Sequence, residues 1–452
     1  MNRHRHRLVF NALRGQPMAV SEIASAAPGA SSTRSARNGP CRLASPRWRA
    51  LSAAVLLAWC TVSLSLAHAQ IAADPGAPGS QRPTVLAAPN GVPVVNIQTP
   101  SAAGVSRNTY RQFDVQGQGA ILNNSRTNVQ TQLGGWVQGN PWLAGGSARV
   151  ILNEVNSANP TQLRGFVEVA GQRAEVVIAN PAGIQVNGAG FINASAATLT
   201  TGLPIVNGGN LEGYRVQGGT VRVEGLGLDA TLTDHAAILA RAVEVNAGIW
   251  ARHLTVATGA NLTNADPGNV STAPSVPQGA TPSYALDVAH IGGMYAGHIY
   301  LVGTEAGLGA RNAGVVSSTG QLVLDHSGWL SNRGTLQAAQ GLTVAATSLD
   351  NAAGAVVSAG TTTVQLSQAL TNRGLIDGQT TQLQAQSLSN LGTGRLYGNV
   401  LAIEAQDLLN DTETVGGVRS DAVIAARERL DIGAQNLVNR EGALVFSAGD
   451  MA

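Results

Sequence analysis

Among the side chains able to do chemistry, the closest acidic cluster is Asp407, Asp411 and Glu413. Converging carboxylates of this kind could hold Ca²⁺ or, beside a basic residue, pass a proton. This cluster falls in an expected turn and loop, and the repeat described below brings it no basic partner. His235, His253, His290, His298 and His326 lack metal-ligand spacing, and His290 and His298 read as neighbours along one stretch of chain. All 28 basic residues are Arg, so there is no Schiff-base or phosphate-loop lysine. The only cysteines are Cys41 and Cys60, which excludes a thiol nucleophile, a disulfide framework or a cysteine zinc site beyond residue 60. The Gly-x-Ser-x-Gly elbow is missing, as are Gly-Gly-x-Gly-x-Asp and Arg-Gly-Asp. Five Asn-x-Ser/Thr sequons, at Asn123, Asn193, Asn261, Asn269 and Asn410, read as unmodified. The chain reads as a non-enzyme, with no catalytic residues, no cofactor and no metal.

The side chain that does recur at fixed spacing is Asn. Leu330-Ser331-Asn332, Leu349-Asp350-Asn351, Leu370-Thr371-Asn372, Leu388-Ser389-Asn390 and Leu408-Leu409-Asn410 share the form Leu-x-Asn, with Asn spacings of 19, 21, 18 and 20. Asn312 lies 20 residues before the first, and Leu437-Val438-Asn439 follows after 29. Between them stand apolar pairs two apart, from Leu322/Leu324 through Val364/Leu366 to Leu430/Ile432. Residues two apart on a strand share a face. A strand pair, an Asn turn and a return after ~20 residues describe one coil of a parallel β-helix, whose stacked coils share an interior that none could bury alone. Asn332, Asn351, Asn372, Asn390 and Asn410 are therefore expected to be structural turn residues. At ~4.8 Å per coil, residues 70–452 would stack to roughly 90 Å. The nine extra residues before Leu430 are expected to protrude.

Composition agrees with an all-β solenoid. Charged residues are 12% of the chain and Gly numbers 54, against ~25% and ~7% in ordinary domains. Short β-branched runs alternate with turn pairs such as Asn90-Gly91 and Asn187-Gly188. Residues 1–69 carry nine Arg and one acid, whereas residues 70–452 carry 19 Arg and 25 acids. The second part thus lacks the basic surface that nucleic acid requires. The split coincides with Arg47 and Arg49, an apolar run from Ala50 to Leu66, and Ala67-His68-Ala69. That order is a secretory signal, with cleavage expected between Ala69 and Gln70.

Ahead of it, Met1-Asn2, Arg7-Leu8-Val9-Phe10-Asn11, Arg14-Gly15 and Val20-Ser21-Glu22 resemble the extended signal peptides of large exported Gram-negative proteins. Val92-Pro93-Val94-Val95-Asn96-Ile97, Ile151-Leu152-Asn153-Glu154-Val155 and Leu199-Thr200-Thr201-Gly202-x-Pro204 resemble the secretion domain of filamentous haemagglutinin-type exoproteins of two-partner secretion. So do Asn140-Pro141-Trp142-Leu143 and Asn180-Pro181-Ala182-Gly183-Ile184, although both depart from the family's Asn at their third residue. The resemblance implies a right-handed parallel β-helix with an N-terminal cap and extra-helical strands. It also implies export by the general secretion machinery, then through an outer-membrane transporter whose periplasmic domains recognise the cap, with release at the cell surface. Asn140, Pro141, Leu143, Asn180, Pro181, Gly183 and Ile184 would be the secretion motifs. The expected organisation is signal peptide 1–69, secretion domain 70–310 and repeat shaft 311–452. Arg440 to Gly449 begin another coil with no cap before Ala452, as expected of a truncated form of a longer protein. The expected product is a surface adhesin acting on a host-cell or bacterial-surface receptor. The alternative is part of a contact-dependent toxin carrier or haemolysin.

Overall fold

The computed structural model of the chain describes residues 70–452, together with a hairpin of strands His6–Asn11 and Gln16–Ser21. The expected cleavage residue Ala69 and the apolar run before it lie outside the described residues, while Gln70 is exposed. The hairpin belongs to a unit of its own, residues 1–66, and residues 67–452 form a second.

That second unit is a parallel β-helix with three faces. Phe166–Gly171, Ala174–Ala179 and Ile184–Val186 make one coil, and each pairs in parallel with its counterpart a turn later: Ala189–Ile192, Ala194–Thr200 and Thr220–Val223. Further along, the corners tighten until Val356–Asn372, Leu375–Leu391, Arg395–Asp411 and Val423–Asn439 each run round all three faces as one 17-residue strand. No break in the ladder marks residue 310, since Ala310–Asn312 pairs with Leu286–Val288 before it and Trp329–Asn332 after it.

Alternation along the strands fills the interior. Val176 and Ile178 point inward and are wholly buried, as are Ile238 and Val256 above them. Leu301, Leu324, Val344, Val364, Leu383 and Ile403 continue the same column. At the start of the helix, Ile71–Ala73 lies antiparallel to Val105–Phe113, and Thr84–Ala87 lies antiparallel to Pro93–Asn96. Tyr110 and Phe113 plug this end, their ring centroids 4.9 Å apart. Reversing the hydrogen-bond direction here covers the first coil so that it offers no parallel edge.

Two insertions between the second and third faces leave the helix and return. Leu203–Asn207 and Asn210–Val216 come from one coil; Asn261–Asn264 and Thr272–Pro274 come from the next but one. They form a four-stranded antiparallel sheet. Leu211, Tyr214 and Val216 of this sheet cover Val150, Leu152, Val177, Ala179, Ala237 and Leu239, the outward apolar residues of the second face. The residues before Leu430 project as a hairpin, Glu413–Val415 and Val418–Ser420, turned by Gly416 and Gly417 with φ of 58° and 81°.

The Leu-x-Asn segments differ from the expected turns. Leu and Asn, two apart, are both inward residues of the third face, where the strand ends at Asn332, Asn351 and Asn372 and one residue past Asn390 and Asn410. The Asp421–Leu430 stretch is strand from Val423 onward.

Candidate functional site

Both Asn-Pro motifs are corners built on one plan. Asn180 follows the second-face strand Ala174–Ala179. Its Oδ1 accepts from the Ala182 N–H at 2.9 Å, and its Nδ2 donates to Asn159 O and Thr161 Oγ1, both at 3.0 Å. Its carbonyl accepts from the Gly183 N–H at 3.0 Å, and Gly183 has a φ of 116° that side chains other than Gly rarely tolerate. Asn140 caps the short 3₁₀ turn Pro141–Leu143 in the same way. Its Oδ1 accepts from the Trp142 N–H at 3.0 Å; its Nδ2 donates to Ile97 O at 2.8 Å and Asn123 O at 2.9 Å.

This geometry divides the labour within each motif. Both amides are buried and fully engaged, and Leu143 and Ile184 anchor the motifs in the core. The third residue meets the motif's Asn side chain only through its main-chain N–H, so Trp142 and Ala182 serve where the family has Asn. What each motif shows to solvent is Pro181 in one, Pro141 and Trp142 in the other.

In the shaft, the Asn side chains form one file. Nδ2 of each donates to Oδ1 of the next: Asn312 to Asn332 at 2.9 Å, Asn332 to Asn351 at 2.8 Å, and Asn351 to Asn372 at 2.7 Å. Asn372 to Asn390 and Asn390 to Asn410 follow at 2.8 Å, and Asn410 to Asn439 at 2.7 Å. The second Nδ2 hydrogen goes to a carbonyl of the following coil, as from Asn332 to Val356 O at 3.1 Å. Asn332, Asn351, Asn372 and Asn390 have no exposed surface, so these amides are scaffold.

The acidic cluster does have basic partners. Arg373 meets Glu413 with Nε–Oε2 at 2.8 Å and Nη2–Oε1 at 3.0 Å, holding that carboxyl below its ordinary value and tying the hairpin to the shaft. Arg440 lies 3.9 Å from Asp411. His298 stacks on His253, and His253 on His235, with centroids 5.2 and 4.9 Å apart in successive coils. Among the described residues, no group of His, Cys, Asp and Glu is arranged to hold a metal.

Sequence reasoning missed a polar pocket beneath the antiparallel sheet. Glu175 Oε1, Thr198 Oγ1 and Tyr214 Oη are buried there without a hydrogen-bond partner among the described residues. Burial pushes the Glu175 carboxyl up to about 7, Arg149 opposing and Asp266 adding to the shift. Burial likewise draws His326 down to about 4. Arg241, also missed, is 3% exposed; it pairs with Glu305 at 2.8 and 3.0 Å and donates to the carbonyls of Gln278, Gly279 and Ala280. No local pattern marks these residues; only the insertions bring their partners to them.

Comparison with known proteins agrees with this architecture. Residues 69–338 match the TPS secretion domain, and residues 1–48 match the extended signal peptide of the type V secretion system. Toxin CdiA of Yersinia pestis is 51% identical over 346 residues, covering 76% of this chain and 10% of that protein. The tRNA nuclease CdiA-2 of Burkholderia pseudomallei is 44% identical over 350 residues, 75% of this chain and 11% of that one. The chain thus spans about a tenth of the length of these curated relatives. The crystal structure of a filamentous hemagglutinin secretion domain superposes with a TM-score of 0.53 at 32% identity, covering 69% of this chain and 96% of the other. The extended signal peptide and secretion domain mark an exported protein that crosses the periplasm and the outer membrane. The chain belongs to the TPS secretion domain family, carried behind an extended signal peptide.

Proposed function

We propose that residues 70–310 carry the export address of a large surface-delivered protein, that residues 1–69 are its removable signal, and that residues 311–452 are shaft. The observation that carries this is the pair of Asn-Pro corners. They share one hydrogen-bond plan, both lie inside the family-matched region, and both turn Pro outward. The coils after residue 311 offer only a repeated Asn file and apolar pairs, which suits a spacer. The inner-membrane secretion machinery would deliver the chain, and the periplasmic domains of a cognate outer-membrane transporter would read the exposed shoulders Pro141, Trp142 and Pro181. The buried amides would set the shoulders without touching the partner.

For the cargo, the toxin-carrier reading is favoured by the relatives 51% and 44% identical, a toxin CdiA and a tRNA nuclease CdiA-2. The adhesin reading keeps the support of the hemagglutinin secretion domain. Under either, this region addresses and spaces and does not catalyse. The test is secretion with and without the transporter, normalised to synthesis. Asn180→Ala with Pro181→Ala should cut export more than deleting the coils from Asn332 to Asn410. Normal export of the double variant, or equal export without the transporter, would refute the addressing role.

A further inference from the structure

Four tryptophans lie after residue 70, and two of them have a structural reason to be on the surface. Trp250 and Trp329 lie flat over Gly248 and Gly309, where a Cβ would meet the rings at 2.4 and 2.1 Å. Trp136 and Trp142 cover no glycine, yet they are 68% and 46% exposed. Alternation in the strand Gly135–Val137 sends Val137 inward and Trp136 out; the 3₁₀ turn does the same with Leu143 and Trp142. Both rings border a cleft of about 680 Å³ between the edge strand Thr84–Ala87 and the hairpin that Gly135–Val137 makes with Val129–Thr131. That volume lies within the ~300–1,000 Å³ of small-molecule sites.

The lining defines the ligand chemistry. No charged side chain lines the cleft. Leu86 and the two indoles supply apolar surface, while Thr84, Asn96 and Gln138 supply hydrogen-bonding groups. Asn96 accepts from Asn123 with Oδ1 at 2.7 Å, and among the described residues no acceptor meets its Nδ2. Flat indole faces beside neutral amide and hydroxyl groups suit the axial C–H face of a pyranose and its ring of hydroxyls. A phosphate or other anionic ligand would leave its charge without a counter-charge here.

We propose that this cleft binds a neutral oligosaccharide, with Trp136 and Trp142 as its stacking platforms and Asn96 as a donor to a sugar hydroxyl. Trp142 also lies in the first Asn-Pro corner, so the site adjoins the proposed export address without depending on it.

The test titrates the exported chain with uncharged hexasaccharides of glucose and of N-acetylglucosamine, following indole fluorescence. At least one should give saturable quenching that is unchanged between low and high salt. Trp136→Ala should weaken it at least tenfold while secretion and thermal melting stay as in the parent; Trp142→Ala should weaken it as much with unchanged melting, its secretion being read separately because the same ring belongs to the proposed export address. Lack of saturable binding to either sugar, or equal binding by both variants, would overturn the proposal. So would binding confined to sulfated or sialylated sugars. Loss of secretion in Trp136→Ala without any sugar binding would instead assign the cleft to the transporter.

Discussion

Glu175→Gln should change how stability depends on pH, in a direction the structure fixes. Glu175 sits under the antiparallel sheet with one carboxyl oxygen unpaired, and burial lifts its value from an ordinary 4.5 to about 7. Below pH 4.5 the folded and unfolded chains both hold the proton. Between 4.5 and 7 only the folded chain holds it, so stability falls as pH rises, and above 7 the loss is complete. At ~1.4 kcal/mol per pH unit, the full loss is roughly 3 kcal/mol. Gln keeps the shape and cannot ionise, so the variant should match its parent near pH 4 and exceed it by about that amount at pH 8. His326 hides this in the parent. Its imidazole, lowered from 6.5 to about 4, favours the unfolded chain as pH falls through the overlapping window. The two slopes oppose each other, and removing Glu175 should expose the His326 slope, with stability rising from pH 4 to 6.5. Urea midpoints across pH 4–8, read as differences between variant and parent, isolate the effect. A constant difference at all pH values would refute the buried-proton account.

The Asn file should be costly to break in its middle and cheap at its end. Asn372→Leu strands the Asn351 donor and the Asn390 acceptor in a dry interior and should cost about 3 kcal/mol by denaturant melts, whereas exposed Asn439→Leu should cost under about 1 kcal/mol. Arg241→Ala should cost about 3–5 kcal/mol, because it leaves Glu305 without its cation and three carbonyls without a donor; limited proteolysis should then cut first near Gln278. Arg419→Ala, in a pair that is half exposed, should leave the melting temperature nearly unchanged.

The shaft was legible because its signals are local. Leu and Asn two apart on a strand must share a face, so Leu-x-Asn at ~20-residue intervals carries both period and register. The same local logic misled once. A segment that ends at a corner looks like a turn in sequence, although its residues are strand up to Asn. What stayed illegible depends on partners brought in by insertions. The His253–His298 step is one coil in space and 45 residues in sequence, because Asn261–Asn264 and Thr272–Pro274 intervene. Glu413 finds Arg373 across 40 residues only because the hairpin folds back. Glu175 has nothing unusual beside it in sequence; the sheet that buries it comes from residues 203–274. For the Asn-Pro corners, sequence could mark the motif but could not separate the buried amide from the exposed Pro.

The file of amides also has a direction, and that bears on how such a chain could leave a cell. Every Nδ2 from Asn312 to Asn410 donates toward the following coil, both to the next Oδ1 and to a carbonyl there. A coil that has just formed therefore satisfies the Asn before it and leaves its own donor open until the next coil arrives. The open donor is thus passed to the growing end at each step, while every covered coil keeps its amide satisfied and would expose unmet donors if it were peeled away. Each coil contacts only its neighbours, so growth needs no distant partner. With no cysteine after Cys60, disulfides cannot lock the chain before it is threaded. Folding that starts at the capped end and advances one coil at a time would bias a chain emerging N-terminus first against sliding back.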